Sequence, residues 1–335
     1  MGTGRTERII WIDSLKAFAI FLVILGHSIQ CLATCAGLSE VYDFIYSFHM
    51  PLFMTLSGLF LGKMLADNPK SFLLKRARQL LLPVLSFSVV AFLVRLLTPL
   101  DMTMGLGFAD YLAGGDMWFL KYLFGCSVIA YVSNKLFRRE WLAATVPPAL
   151  LVTVSRVGIF RLLPFLWLGH YVRKHEGSMA RNAKWLLPAC LVAFALLYMF
   201  WNLEYDMPHY RIMSIKKGVE FSFSSFAIVT YRFAVGMLGS MALILIFSTF
   251  AKNIRGGENS LTRFLLASGR RTLGIYCLQI YLLEHLSDNL EIPVLSDGWN
   301  ILLVFSVAVL EFILCSLLVG LLERNRLTRL LLLGQ

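Results

Sequence analysis

The chain has 335 residues, of which 58% are hydrophobic and only 15% charged, and its mean hydropathy is +0.71. Soluble domains usually carry about a quarter charged residues, so this composition excludes an ordinary soluble protein and indicates a polytopic membrane protein. Its apolar runs are too long for the short alternating strands of a β-barrel, which predicts an all-α bundle. The net charge of +11 fits basic helix ends that meet anionic lipid, so membrane lipid, and no nucleic acid, is the expected partner.

Ten segments are apolar enough to be membrane spans, although the fifth and sixth are short. If the N-terminus is cytoplasmic, most lysines and arginines fall in the segments on the inner side, as topology rules require. We therefore predict about ten transmembrane helices with both termini cytoplasmic. Residues 1–335 would form a single transmembrane domain, because no connection is long enough for a soluble extracytoplasmic domain. The predicted spans are about 10–32, 41–62, 79–97, 116–134, 141–155, 158–172, 184–203, 223–250, 264–287 and 299–322.

The first predicted span carries two ionisable residues, Lys16 and His27, eleven positions apart. Eleven helical steps of about 100° make three turns plus roughly 20°, so the two side chains share one face. Ionisable groups at membrane depth are costly and suggest function, and imidazole is the usual general base near neutral pH. Alternatively, Lys16 pairs with Asp13 at i,i+3 and His27 is a packing histidine.

The second predicted span contains His49 and Pro51 within the segment 47–58. Proline frees a backbone carbonyl inside a helix, and a broken helix at membrane depth is tolerated where it lines a cavity or is buried in protein. The Ser57-Gly58 pair permits a close approach of another helix. A kinked packing helix is the alternative, and His49 is either a second site group or a packing histidine.

Three basic residues precede the third predicted span, namely Lys75, Arg76 and Arg78. Three positive charges at a cytoplasmic helix entrance suit a ligand with several phosphates. An ordinary topology signal would look the same. The polyphosphate interpretation therefore depends on the other motifs.

Two more segments contain polar or aromatic candidates. Trp118 follows Gly114-Gly115-Asp116-Met117 at an expected outer interface, where tryptophan is common in any case. The segment 268–281 includes Gln279, and Tyr42 opens the second span at the outer side, where it either contacts an acceptor or anchors the interface.

Taken together, these segments resemble the membrane-bound acyltransferase 3 family. The resemblance covers nearly the whole chain: a basic residue, ten intervening residues and a histidine in the first span, an MPLF…SG segment, basic residues before the third span, a WFL segment and a late G…Y…Q segment. The resemblance implies a ten-span enzyme that moves acyl groups, often acetyl or succinyl, from acyl-CoA to sugar hydroxyls of surface glycans, lipids or antibiotics.

The resemblance also implies roles for individual residues. His27 corresponds to the catalytic histidine and Lys16 to its basic partner, with Asp13 able to position Lys16. The candidates for contact with the acceptor or the acyl group are His49, Ser57, Trp118, Tyr42 and Gln279. The candidates for holding the CoA phosphates are Lys75, Arg76 and Arg78.

Two positions depart from the family pattern. The basic partner is often arginine, whereas Lys16 carries a flexible ammonium that cannot make a bidentate fork. The late histidine is replaced by Gln279, so either this position takes no part in the chemistry or the acceptor differs.

The expected reaction is direct acyl transfer, preferably of acetyl from acetyl-CoA, with no metal. Acyl-CoA would enter from the cytoplasm, and His27 would take the proton of an acceptor hydroxyl in a glycan or lipid-linked sugar. Ser28 and Ser57 leave a covalent route open. The expected location is the bacterial inner membrane.

A transporter or flippase of lipid-linked sugars is the rival hypothesis. Four ionisable residues within predicted spans could line a substrate path: Arg95, Lys121, Arg232 and Glu311. Transfer from acyl-CoA by purified protein would favour the enzyme, and flipping of a glycolipid without acyl-CoA would favour the transporter.

Overall fold

The computed structural model describes residues 10–97, 117–154, 159–202, 212–214, 220–250, 259–289 and 296–335. These residues are almost entirely helical, apart from a short antiparallel pairing of β1 (Met213–Ser214) with β2 (Glu220–Phe221). The helices are α1 (Ile10–Leu32), α2 (Ala36–Tyr46), α3 (His49–Gly58), α4 (Leu61–Leu65), α5 (Pro69–Arg76), a π-helical segment (Ala77–Leu81), α6 (Leu82–Leu97), α7 (Trp118–Leu136), α8 (Glu140–Val154), α9 (Ile159–Lys174), α10 (Glu176–Tyr198), α11 (Phe223–Phe250), α12 (Ser260–Arg270), α13 (Thr272–Asn289), α14 (Asp297–Leu322) and α15 (Arg326–Leu333).

Within the described part of the chain, five helical stretches are long and apolar enough to cross a membrane. The prediction of an all-α membrane bundle is therefore confirmed. The count of ten spans and the cytoplasmic position of both termini stay predictions, because several of the other helices are shorter than a bilayer requires. The five stretches are Ile10–Leu32, Pro69–Leu93, Glu176–Tyr198, Phe223–Phe250 and Asp297–Leu322.

Helix α1 lies at the centre of the bundle and packs against α2, α3, α11, α12, α13 and α14. Leu15, Ile20 and Ile24 on this helix are completely buried, as expected of a helix that is apolar around most of its circumference. At its C-terminal end, the Asn300 amide nitrogen donates to the Leu32 carbonyl, and the Thr34 backbone N–H donates to the Asn300 side-chain oxygen, both at 3.0 Å. The first of these bonds satisfies a carbonyl group that the C-terminal end of a helix leaves unpaired.

The second predicted span is not one helix. It is divided among α2, α3 and α4, and the break between α2 and α3 falls at Ser47 and Phe48, before Pro51. The break expected in this span is present, and it falls about one helical turn before Pro51. Because Pro51 has no N–H, the carbonyl four residues earlier, that of Ser47, loses its helical partner at this point. The ninth predicted span is likewise divided, into α12 and α13 at Arg271.

Helix α3 packs tightly against α9 through two glycines. A Cβ atom on Gly58 would collide with the Leu166 carbonyl oxygen, and one on Gly169 would collide with the Thr55 carbonyl oxygen. Both obstacles are backbone atoms and cannot move aside, so each position requires glycine. The close approach predicted from Ser57-Gly58 is confirmed, and it fixes α3 in place.

We expect Gly58→Ala to destabilise the protein, by about 1–3 kcal/mol or more, because the added methyl group must push two backbones apart. Thermal unfolding in detergent measures this effect. Gly177→Ala is the matched control, since a Cβ there meets nothing within 4 Å, and its melting temperature should be unchanged or slightly higher. Equal melting temperatures for Gly58→Ala and the wild type would contradict the packing role.

The π-helical segment joins α5 to α6 and is contacted by the end of the chain described here. Gly334, after α15, has φ 65°, and a Cβ there would lie 2.8 Å from the Gln79 Cα atom and 2.5 Å from the Arg78 carbonyl oxygen. Glycine is therefore needed both for the left-handed conformation and for the contact. Helix α15 is held against the π-helical segment in this way.

Helices α8 and α9 are tied at one end by an ion-pair cluster. The Glu140 carboxylate accepts from Lys174 Nζ at 2.8 Å and contacts His170 Nε2 at 2.9 Å. Burial would raise the pKa of Glu140, but the hydrogen bonds from Lys174 and His170 outweigh it and hold the pKa below the ordinary value. Glu140 therefore stays ionised near neutral pH, and its contacts with Lys174 and His170 hold the ends of the two helices together.

Candidate functional site

A cavity of about 370 Å³ lies inside the bundle beside α1. Its wall is formed by α1, α3, α4, α5, the π-helical segment, α7, α12, α13 and α15. The broken second span and the close α3–α9 packing therefore position one side of this cavity, and the docked α15 contributes Leu333 to another. Pockets of this kind, mostly apolar with a few convergent polar groups, are usual ligand sites.

Cationic side chains dominate one end of the cavity. Among the described lining residues, the one acidic side chain is Asp67, and there are five basic side chains, which come from four different helices. Their charges make this end a binding site for anions. The basic residues are Lys16, Lys63, Lys75, Arg76 and Arg270.

The two residues of the basic run that line the cavity, Lys75 and Arg76, each have a defined hydrogen-bond partner. Lys75 Nζ contacts both carboxylate oxygens of Asp67, at 3.0 and 3.1 Å, and its side chain is 64% exposed, so this end of the cavity opens to the surface. Arg76 is buried and donates through Nη1 to the Gln79 side chain at 2.9 Å. Its Nε atom has no hydrogen-bond partner among the residues the structure describes, so the guanidinium retains donor capacity.

The basic run is divided between the cavity wall and the protein surface. Lys75, Arg76, Gln79 and Leu80 line the cavity, whereas Arg78 is exposed and lies outside the described wall. A π turn has more residues than an α turn, and such turns recur at functional sites. With about 100° per residue, positions 75, 76, 79 and 80 lie on one face of a helix and position 78 lies outside it.

Two further basic side chains of the cavity wall, those of Arg270 and Lys16, each contact a neighbouring residue. Arg270, at the end of α12, lies 3.8 Å from the Asp13 carboxylate. A Cβ atom on Gly269 would collide with the Asp13 carbonyl oxygen, so α12 and α1 are in direct contact there. Lys16 Nζ lies 4.8 Å from the centroid of the Phe60 ring, a cation–π arrangement. Asp13 is thus positioned between two basic side chains.

The other end of the cavity is apolar and aromatic. Val23, Met50 and Phe53 line it from α1 and α3, and Phe119 and Tyr276 from α7 and α13. The Phe119 ring packs edge-on to both Phe53 and Tyr276, with centroids 6.0 Å apart in each case. The cavity therefore passes from a charged entrance to an uncharged interior, which suits a ligand with an anionic head and a neutral arm.

His27 lies just beyond the apolar end. Val23 is the last α1 residue in the cavity wall, and His27 follows it by four residues, which is about 6 Å along the same helix face. His27 itself is half-buried and does not belong to the described wall. Helical side chains lean toward the N-terminus of their helix, and the His27 side chain also hydrogen-bonds with that of Gln30, one turn further along α1.

A cluster of rings surrounds this part of α1. Tyr46 packs 4.4 Å from the His49 ring and stacks on Tyr42 at 3.9 Å, and a Cβ atom on Gly26 would lie 3.0 Å from the Tyr46 ring. The His49 Nδ1 atom is 3.0 Å from the Ile45 carbonyl oxygen. The structure thus brings Tyr42 and His49 toward the His27 end of α1, and His49 is followed by the cavity residue Met50.

The remaining predicted residues are near the cavity in different ways. Ser57 lines it, and its hydroxyl donates to the Phe53 carbonyl at 2.9 Å. Trp118 lies behind the wall, packed edge-on against Phe119 and Tyr122. Gln279 is completely buried, one helical turn beyond Tyr276.

Three residues of the cavity wall were not predicted from the sequence as site residues, namely Lys63, Asp67 and Arg270. Lys63 and Arg270 follow or precede apolar spans, where a basic residue serves topology equally well. The sequence did give one indication for Arg270, because it lies within the candidate segment 268–281. Lys63 and Asp67 gave no signal, because only the fold brings α4 opposite α5.

Comparison with known proteins identifies the class. A family model described as an acyltransferase domain, acyltransferase 3, matches residues 9–321, which is nearly the whole chain. The chain therefore belongs to this acyltransferase family, and the expected resemblance is confirmed. Together with the apolar helices, this membership makes it a multi-pass membrane protein.

Two curated relatives are similar over part of the chain. Nodulation protein NolL of Sinorhizobium fredii is 30% identical over 221 residues, covering 59% of this chain and 59% of the relative. Nodulation protein NolL of Mesorhizobium japonicum is 29% identical over 223 residues, covering 60% and 58%. The chain thus matches less than two thirds of the length of these relatives. No solved structure gives a significant match.

Proposed function

We propose that this protein is an integral membrane O-acyltransferase that uses cytoplasmic acyl-CoA as donor. The acyl group, with acetyl as the expected one, passes to a sugar hydroxyl of a cell-surface glycan or a lipid-linked saccharide. Membership of the acyltransferase family supports the reaction class. The observation that supports acyl-CoA as the donor is the cavity. It has five cations at its open end and an apolar interior that ends one helical turn from His27.

The cavity matches the chemistry of CoA in two parts. The phosphates of CoA carry several negative charges, which Arg76, Lys63 and Arg270 would meet, since charge-assisted bonds to phosphate are the strong ones. The pantetheine arm is uncharged and would follow the aromatic wall past Phe119. Its thioester would then reach the end of the cavity near Val23.

The proposed chemistry is a direct transfer. The acceptor hydroxyl oxygen attacks the thioester carbonyl carbon, forming the new C–O bond, and the C–S bond breaks. His27 takes the hydroxyl proton as general base and returns it to the departing thiolate, so the products are the ester and CoA thiol. Direct transfer is preferred to an acyl-enzyme at Ser57, because its hydroxyl donates to a backbone carbonyl and not to a base.

The surrounding residues would position the two substrates. Tyr42, His49 and Trp118 are proposed to contact the acceptor, because the ring cluster lies at the His27 end of α1. Lys16 and Asp13 are proposed to act at the donor end instead, since Lys16 lines the charged part of the cavity and Asp13 lies beside Arg270. Their distance from His27 along α1, about 16 Å for Lys16, separates them from the reacting atoms.

The topology belongs to the same proposal. With both termini in the cytoplasm of the bacterial inner membrane, the cationic end of the cavity would face the cytoplasmic acyl-CoA pool and His27 the acceptor side. This requires ten spans, or an equivalent even number.

The deciding experiment uses the purified protein in lipid nanodiscs with acetyl-CoA labelled in the acetyl group. We expect label to move to a glycan or lipid-linked saccharide fraction, and CoA thiol to be released. Failure of both, together with movement of a fluorescent glycolipid across the bilayer without acyl-CoA, would replace the enzyme with a transporter. Mass spectrometry of the labelled product then identifies the acyl group and the acceptor.

A further inference from the structure

Gln279 is a completely buried amide on α13. Neither its side-chain oxygen nor its side-chain nitrogen has a hydrogen-bond partner among the residues that the structure describes. Burying an amide without a partner is unfavourable, and in native proteins such a group is exceptional and requires an explanation. Methionine or leucine would fill the same volume at no such cost, so the amide points to a ligand.

The position of Gln279 follows from the direction of α13. Near its start, a Cβ atom on Gly274 would lie 2.7 Å from Leu333, which lines the charged cavity. Further along, the Tyr276 ring packs edge-on to Phe119, which lines the apolar end. Helix α13 therefore runs from the charged end of the cavity toward the apolar end, in the same direction as α1.

Gln279 lies beside the apolar end of the cavity. Tyr276 lines the wall, and Gln279 follows it by three residues, about 4.5 Å further along the helix. Residues three apart share a helix face, and side chains lean toward the helix N-terminus. Gln279 and His27 both lie outside the described wall, on two helices that run in the same direction and pack together, and each follows the last wall residue of its helix by about one turn. A ligand that extends one turn past the wall would therefore meet both side chains.

We infer that Gln279 donates a hydrogen bond from its amide N–H to the carbonyl oxygen of the thioester. This inference rests on the proposed function. When the acceptor hydroxyl attacks, the carbonyl oxygen becomes an oxyanion and the proton moves to His27. The Gln279 N–H stabilises that negative charge, and when the C–S bond breaks the oxygen becomes the ester carbonyl again. Gln279 is then an oxyanion-stabilising residue that complements the base.

The test compares Gln279→Met with the wild type in the labelled acetyl-CoA assay. Loss of one oxyanion donor lowers kcat by about 10²–10³-fold in known cases. We expect a loss of this size with little change in KM for acetyl-CoA, and a melting temperature that is unchanged or raised, because an unpaired amide has been removed. Gln279→His, which retains an N–H donor, should recover part of kcat.

Ser240→Ala provides the matched control. Ser240 is completely buried, its hydroxyl has no partner among the described residues, and it lies on α11, which, unlike α13, contributes no residue to the described cavity wall. It should leave kcat unchanged. A Gln279→Met protein that keeps more than half of kcat overturns the inference, as does a loss of kcat accompanied by a lower melting temperature in both Gln279 variants. If the wild type transfers no label, the proposed function itself fails.

Discussion

Replacing His27 with alanine is expected to lower acyl transfer by about 10²–10⁴-fold, the usual contribution of a general base. His27 lies one helical turn beyond Val23, at the apolar end of the cavity, where the thioester of a bound acyl-CoA would stop. An imidazole there can take the hydroxyl proton and pass it to the leaving thiolate. Without it, the acceptor must attack as a neutral alcohol.

The measurement is single-turnover transfer from labelled acetyl-CoA, with correct insertion checked by thermal unfolding. His27→Gln, which keeps a polar side chain of similar size but cannot act as a base, should be as inactive as His27→Ala. His175→Ala is the matched control, because His175 is exposed at the start of α10. A correctly inserted His27→Ala protein with more than half of the wild-type rate would rule out His27 as the base.

Replacing Arg76 with glutamine is expected to raise the KM for acyl-CoA by about 10–100-fold, with kcat within a few-fold of the wild type. A hydrogen bond to a charged group contributes roughly 1.5–3 kcal/mol, and each 1.4 kcal/mol changes an affinity tenfold. Arg76 is buried in the cavity wall with an unpaired Nε among the described residues. Its contribution is therefore to binding of the CoA phosphates and not to the chemical step.

Arg78→Gln is a close control for this effect. Arg78 belongs to the same basic run, two residues away, but its side chain is exposed and outside the described cavity wall. Its KM should match that of the wild type. The same shift in KM for both variants would mean that the whole run acts as a diffuse charge, and a KM that is insensitive to Arg76→Gln would place the phosphates elsewhere.

A comparison of Arg76 with Arg78 shows where sequence reasoning stops. From the sequence, Lys75, Arg76 and Arg78 were equivalent candidates, because each is a basic residue at the entrance of a span. Residues two positions apart on a helix differ by about 200° around its axis, so Arg76 and Arg78 cannot both face one cavity, but only the packing of α5 against the other helices decides which of them does. The structure places Arg76 in the wall and Arg78 outside it.

Composition and periodicity alone determined that this is an all-α membrane protein, since a chain so poor in charge cannot cover a soluble surface. They also determined that Lys16 and His27 share one face of α1, because helical geometry fixes the angle between them. Motif resemblance was sufficient for the family, which the match over residues 9–321 shows.

Only the tertiary structure decided which residues meet around the cavity. It brought Lys63 and Arg270 to the cations of α5, placed the helix break before Pro51, and left Gln279 as a buried amide without a partner among the described residues. These outcomes depend on contacts between distant segments, such as Gly58 against Leu166 and Gly269 against Asp13. Local sequence specifies helices and their apolar faces, but the packing of one backbone on another selects the side chains that share a site.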